Sequence, residues 1–153
     1  MDHPVEIPLN TDIAKKLRSY EFGATTGRQR SVGWFDMVQA RTSQLLNGYN
    51  ELAIMKLDLF SGAKEIKIAM KYKYKGKEYL FSPSDPNIVK NSKIEYKSFK
   101  GWEKNIGNCR KFSDLPKEAQ EYVKFIEKEM NKVSKVKVKY VSVGPARDQT
   151  IVL

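Results

Sequence analysis

The chain has 153 residues, 41% of them hydrophobic and 30% charged, with a formal net charge of +10. That length and balance suit one globular domain with a real core, and no stretch approaches the roughly 20 apolar residues that cross a bilayer. A lone cysteine, Cys109, excludes an intrachain disulfide, and with a lone histidine, His3, it argues against a zinc site.

The first residues (Asp2, Pro4, Glu6, Pro8) carry no basic, apolar signal segment, so a cytoplasmic location is expected. Next comes EFGATTGRQRSVGWFD, Glu21 to Asp36, where Thr25, Thr26, Arg28 and Arg30 put four possible ligand donors inside six residues. A helical pattern follows from Trp34 to Leu46, with Phe35, Val38, Leu45 and Leu46 as its apolar positions and Asn47-Gly48 as its stop. Glu51 to Asp58 is a short, mostly apolar run that suits a strand buried on both faces.

From Ile66 to Lys75 the apolar residues fall on even positions and the lysines on odd ones, the pattern of a strand with one wet face. Gly76 offers a turn into Glu78-Tyr79-Leu80-Phe81, which predicts an antiparallel hairpin at about 64–81. A solvated strand face accounts for these lysines; nucleic-acid contact is the alternative that the net charge invites. Ser82 to Asn91, with Pro83 and Pro86, reads as loop. Ser113-Asp114-Leu115-Pro116 opens a second helix, in which Ala119, Tyr122, Val123 and Ile126 share one face. Val136 to Val143 reads as the last strand, ended by Gly144-Pro145. The fold class is therefore α/β: a partial, largely parallel sheet with flanking helices and an antiparallel hairpin subdomain. No internal repeat or interdomain linker is evident.

In α/β sheets ligands bind beyond the carboxyl ends of the strands. Two such ends are Met55 to Asp58 and Ser142 to Pro145. A carboxylate such as Asp58 can accept both N1–H and the 2-amino group of guanine, while adenine offers no matching donor pair. The Lys56 stem can lie against the base, and a backbone N–H of the second strand end can meet O6. Read alone, K-x-D is equally an ordinary charged strand end.

EFGATTGRQRSVGWFD, AIMKLDLFSG, FSDLPKEAQEYV and VSVGPARDQTI, in this order and at these spacings, resemble the C-terminal part of adenylosuccinate synthetase over nearly the whole chain. The resemblance implies a P-loop NTPase-like fold and a GTP-dependent ligase of purine (AMP) biosynthesis. Such an enzyme joins IMP to L-aspartate: GTP phosphorylates the 6-oxygen of IMP, and the aspartate amine displaces that phosphate. It assigns Ala24, Thr25, Thr26, Gly27, Arg28, Gln29 and Arg30 to an aspartate-binding loop spanning 23–30. Arg28 is also placed on the IMP side. GTP falls to Arg30, Lys56, Leu57, Asp58, Ser142, Val143 and Gly144. Gln29 departs from the proline or arginine frequent there. The resemblance further implies magnesium and a homodimer in the full enzyme. No G-x-x-x-x-G-K-[ST] loop occurs, and His3 makes a poor catalytic acid. The family's catalytic aspartate, histidine and magnesium ligands are thus expected upstream, in a longer protein or a companion chain, with this chain inactive alone.

Overall fold

The computed structural model describes residues 3–153. These fall into two compact units: one takes the chain through Gln39 together with Lys67–Lys97, the other Ala40–Ile66 and Ser98–Leu153.

In the first unit, α1 (Asp12–Arg18) begins where the Thr11 side chain accepts the Ala14 N–H, with basic residues in its last turn. Sequence periodicity had offered no element here, because seven residues are too few to show one. The sheet is built around β3 (Glu65–Tyr74), which pairs in parallel with β1 (Phe35–Asp36), antiparallel with β4 (Lys77–Tyr79), and also with β5 (Lys93–Lys100). The expected hairpin is present. Its two turn residues both have positive φ, 47° at Lys75 and 77° at Gly76, the geometry that matches the twist of the flanking strands.

Along β3 the alternation holds in part: Ile66, Ile68 and Tyr72 are buried and Lys73 is exposed, but Ala69 on the lysine side is buried too, and Met70 and Tyr74 are only half-buried. The wet face is an ion-pair lattice: Lys71 lies 2.9 Å from Glu78, and Lys73 lies 3.2 Å from Glu78 and 2.6 Å from Glu95. These contacts raise both lysines' pKa values, Lys71 chiefly through its hydrogen bond to Glu78 and Lys73 through that to Glu95. Val5, Val38, Ala69 and Tyr72 form the core beneath, with Tyr79, Val89, Ile94 and Tyr96 packed on it.

Two expectations fail in this region. The helix begins later than Trp34, as α2 (Met37–Asn47), because Phe35 and Asp36 pair with Ile68 and Ala69 instead. Asp36 then caps it, Oδ1 accepting from the Val38 and Gln39 N–H groups, while Oδ2 takes the Tyr72 hydroxyl. Ser82 to Asn91 is not all loop: Pro86–Asn91 forms α3, capped by Asp85 with proline in its first turn. Proline in a first helical turn is compatible with a helix start, and Asp85 before Pro86 supplies the cap.

The second unit is built on a three-stranded sheet. β2 (Glu51–Ile54) runs parallel to β6 (Lys137–Ser142), which pairs antiparallel with β7 (Thr150–Val152). Val136 to Val143 is therefore not the last strand. Nor is Glu51 to Asp58 one strand buried on both faces: β2 stops at Ile54, its residues exposed or half-buried at the end of the strand order, and Leu57–Phe60 turns into a 3-10 helix. α4 (Lys117–Met130) buries the expected Ala119, Tyr122, Val123 and Ile126, plus Glu129 and Met130. Burial of Val123, Ile126 and Met130 contributes about 1.5–3 kcal/mol each. Tyr122 packs edge to face with Phe99 and at a tilt with Phe60, which in turn meets Trp102 edge to face.

The periodic leucines of α2 mislead. Leu45 and Leu46 are 65% and 78% exposed, while Arg41 and Gln44 are buried. The reason is electrostatic: Arg41 Nη2 lies 2.8 Å from the buried Glu129 carboxylate, and Gln44 Nε2 donates to the Ser134 carbonyl at 2.9 Å. Burial pushes the Glu129 carboxyl up, but Lys132 and Arg41 together override it and hold it below the usual range.

Candidate functional site

In the second unit, Ile54 is paired with Val141, so β2 and β6 end side by side at their carboxyl ends. Lys56–Asp58 and Ser142–Gly144 follow these two ends directly, and β6 packs on the 3-10 turn that holds Asp58. The sheet thus gathers the two sequence segments that pattern alone had singled out. Lys56 sits in the left-handed region, at φ 60° and ψ 35°. A non-glycine residue there costs about 1–2 kcal/mol, and such strain persists where surrounding structure fixes it. Leu57 is buried, so only its backbone can face a ligand, whereas Asp58 is half-buried with its carboxylate on the turn.

The second strand end is committed internally to a degree the sequence did not reveal. Ser142 and Val143 are buried, and the Ser142 hydroxyl donates to the Gly144 carbonyl at 2.9 Å. The Val143 N–H donates to the Gln149 carbonyl at 2.9 Å. It is therefore not the N–H that can meet a base oxygen. The Gln149 side chain covers Gly144: a Cβ there would fall 2.2 Å from Gln149 Oε1, so the carboxamide would have to move to admit one. Gln149 was missed because no local spacing marks it, and its side chain reaches Gly107, 42 residues away.

In the first unit, the 23–30 loop is a closed turn. Phe22 and Gln29 form a bridge, the Gly23 N–H donates to the Arg28 carbonyl at 2.8 Å, and the Gly27 N–H returns to the Gly23 carbonyl at 2.9 Å. Gly27 has φ +64°, a left-handed conformation that closes the turn and that a residue with a side chain would adopt only under strain. The Thr26 hydroxyl accepts the Arg28 N–H at 3.3 Å. Ala24, Thr25 and Arg28 are exposed on this scaffold. Arg28 can thus present its planar fork, which suits a carboxylate. Gln29 does not point to solvent in the same way: its Oε1 accepts from Arg18 Nη2 at 2.7 Å, tying the loop to α1. Arg30 lies 3.9 Å from Glu21.

Among the described residues, no three or more His, Cys, Asp or Glu side chains gather as a metal would need. The described residues do not fit a magnesium site. No helix among them is long and apolar enough to cross a membrane.

Comparison with known proteins bears on the family and the fold. A family model described as adenylosuccinate synthetase covers residues 3–151. An adenylosuccinate synthetase of Meyerozyma guilliermondii is 42% identical over 142 residues, 92% of this chain and 32% of that protein. One of Salinibacter ruber is 41% identical over 150 residues, 97% of this chain and 33% of its own. The solved structure of a fully ligated adenylosuccinate synthetase from Plasmodium falciparum superposes with a TM-score of 0.89 at 30% identity, covering 99% of this chain and 36% of that one. The chain spans about a third of the length of the curated relatives it resembles.

Proposed function

Because this chain belongs to the adenylosuccinate synthetase family, we propose that it supplies the guanine-binding and aspartate-binding share of the GTP-dependent ligation of L-aspartate to IMP. The observation that carries this reading is the parallel pairing of β2 and β6, which brings Lys56–Asp58 and Ser142–Gly144 to one end of one sheet. Asp58 accepts the N1–H and 2-amino donors of guanine. The Lys56 stem lies along the base, and with the Val143 N–H already engaged, the Gly144 N–H carries the contact to O6. In the 23–30 loop, Thr25, Thr26 and Arg28 receive the aspartate carboxylates, with Arg28 also serving IMP and Arg30 GTP.

In the reaction, the γ-phosphoryl group of GTP passes to the IMP 6-oxygen. The aspartate amine then attacks C6, and phosphate leaves with that oxygen. This chain's part is to fix the purine of GTP and to hold the amine in line, and such positioning accounts for much of the rate of these reactions. Magnesium would draw its ligands from residues other than those described here. The assembled enzyme is a cytoplasmic homodimer in this reading.

Titration with GDP, ADP and a short RNA at low and high salt tests the proposal. Guanine-selective binding that survives salt supports it. RNA binding that collapses with salt, without GDP binding, would favour a basic nucleic-acid module instead. The pairing of Lys71 and Lys73 with Glu78 and Glu95 already tells against that module.

A further inference from the structure

Gln149 occupies the carboxyl end of the β2–β6 pair without belonging to any motif that points to a ligand. Its carboxamide is used at both ends. Oε1 accepts the Ala146 N–H at 3.0 Å, and Nε2 donates to the Gly107 carbonyl at 3.0 Å. Because a backbone N–H must face an acceptor, these partners fix which amide atom is which. Its backbone is used as well: the carbonyl takes the Val143 N–H at 2.9 Å, and its N–H goes to the Ala146 carbonyl at 3.0 Å. Finally, the side chain lies directly over Gly144, with Oε1 and Cδ at 2.2 and 2.3 Å from where a Cβ would stand.

Four hydrogen bonds and one close contact therefore hold 143–146 in a single shape. The Gly107 carbonyl that anchors this arrangement is itself fixed, accepting from Arg110 Nη1 at 2.8 Å, while Arg110 Nη2 lies 2.8 Å from Asp148. We propose that Gln149 is a positioning residue for guanine: by clamping Gly144 between Ala146 and the Gly107 turn, it aims the one remaining strand-end N–H at the base. This inference rests on the guanine reading above. It adds that affinity is set by a side chain that never touches the nucleotide.

Glutamine suits the role because it is donor and acceptor at once, at one length. Gln149→Glu keeps the acceptor toward Ala146 but sets a carboxylate oxygen against the Gly107 carbonyl. Gln149→Met keeps most of the bulk over Gly144 and loses both side-chain bonds. GDP titration, with amide hydrogen exchange at Val143, Gly144 and Ala146, separates these cases. In Gln149→Met, GDP should bind about tenfold more weakly, and the Ala146 amide should exchange about tenfold faster. Gln149→Glu should fall between it and wild type for Ala146 exchange. A merely structural glutamine would lower the unfolding midpoint while leaving the GDP dissociation constant of the folded chain unchanged, and that result overturns the proposal. If Gln149→Met does not fold, Gln149→Glu decides: GDP affinity equal to wild type overturns the proposal, and weakened affinity with faster exchange supports it. A wild-type chain that binds no GDP refutes the guanine reading itself, an outcome visible before any variant is made.

Discussion

Lys56→Gly separates stability from binding at the proposed guanine site. Lys56 holds φ 60° and ψ 35°, where a lysine costs about 1–2 kcal/mol and glycine nothing. Glycine gives back about 0.5–1 kcal/mol through the larger entropy of its unfolded chain. The net expectation is a stabilisation of about 0.5–1 kcal/mol, or a rise of about 1–4 °C in Tm for a chain this long. At the same time the stem that lies along the base is lost, so GDP affinity should fall by about 1–2 kcal/mol, the size of a buried methylene or two. Lys75→Gly is the internal control. Lys75 has φ 47° in the hairpin turn, so the same relief should appear there with GDP binding unaltered. Thermal unfolding by circular dichroism and calorimetric titration with GDP give both quantities. A Lys56→Gly chain that melts lower than wild type, or binds GDP as tightly, would show that the left-handed lysine has been misread.

Arg41→Met should cost about 3 kcal/mol, the low end for a broken buried pair, because Lys132 still faces the Glu129 carboxylate at 2.6 Å. Adding Glu129→Leu should recover most of that loss in urea denaturation; no recovery would mean the pair is not what the site depends on. Arg28→Leu should raise the KM for aspartate in an active preparation by about 10–100-fold, matching a charge-assisted bond of ~1.5–3 kcal/mol, and Arg28→Lys should rescue only part of it. Acid should destabilise the fold. The N–H groups of Arg110 and Lys111 hold Asp114 below its ordinary value, and Lys132 and Arg41 do so for Glu129. A carboxyl whose pKa is lowered by folding stabilises above its unfolded value near 4, and that stability is lost as pH falls through the folded value. Urea midpoints measured from pH 6 to pH 3 should fall below about pH 4.5, and less steeply in Asp114→Asn.

The parts of this fold that were legible in the sequence are those with a period. Strand β3 and helix α4 repeat their apolar residues often enough to be read; the structure buries those of α4 as expected and, in β3, Ile66, Ile68 and Tyr72. The strand ends were legible because parallel strands deliver their carboxyl ends to one side, which is where K-x-D and S-V-G meet. What stayed hidden depends on partners distant in sequence. Leu45 and Leu46 look like core until Glu129, 88 residues from Arg41, claims the other face of α2. Gln149 is one more polar residue until Gly107 and Gly144 surround it. Short elements such as α1 and α3 rest on a cap and a few contacts, which periodicity does not register.

The central claim is that Asp58 reads guanine, and base selectivity tests it most directly. The measurement is a set of dissociation constants for GDP, ADP and XDP, taken on the wild-type chain and on Asp58→Asn at one salt concentration. Wild type should prefer GDP strongly. The variant should lose about 2–4 kcal/mol toward GDP, through the missing charged acceptor, and gain toward XDP, whose 2-carbonyl accepts from the asparagine amide. Equal GDP affinity in wild type and Asp58→Asn would contradict the account.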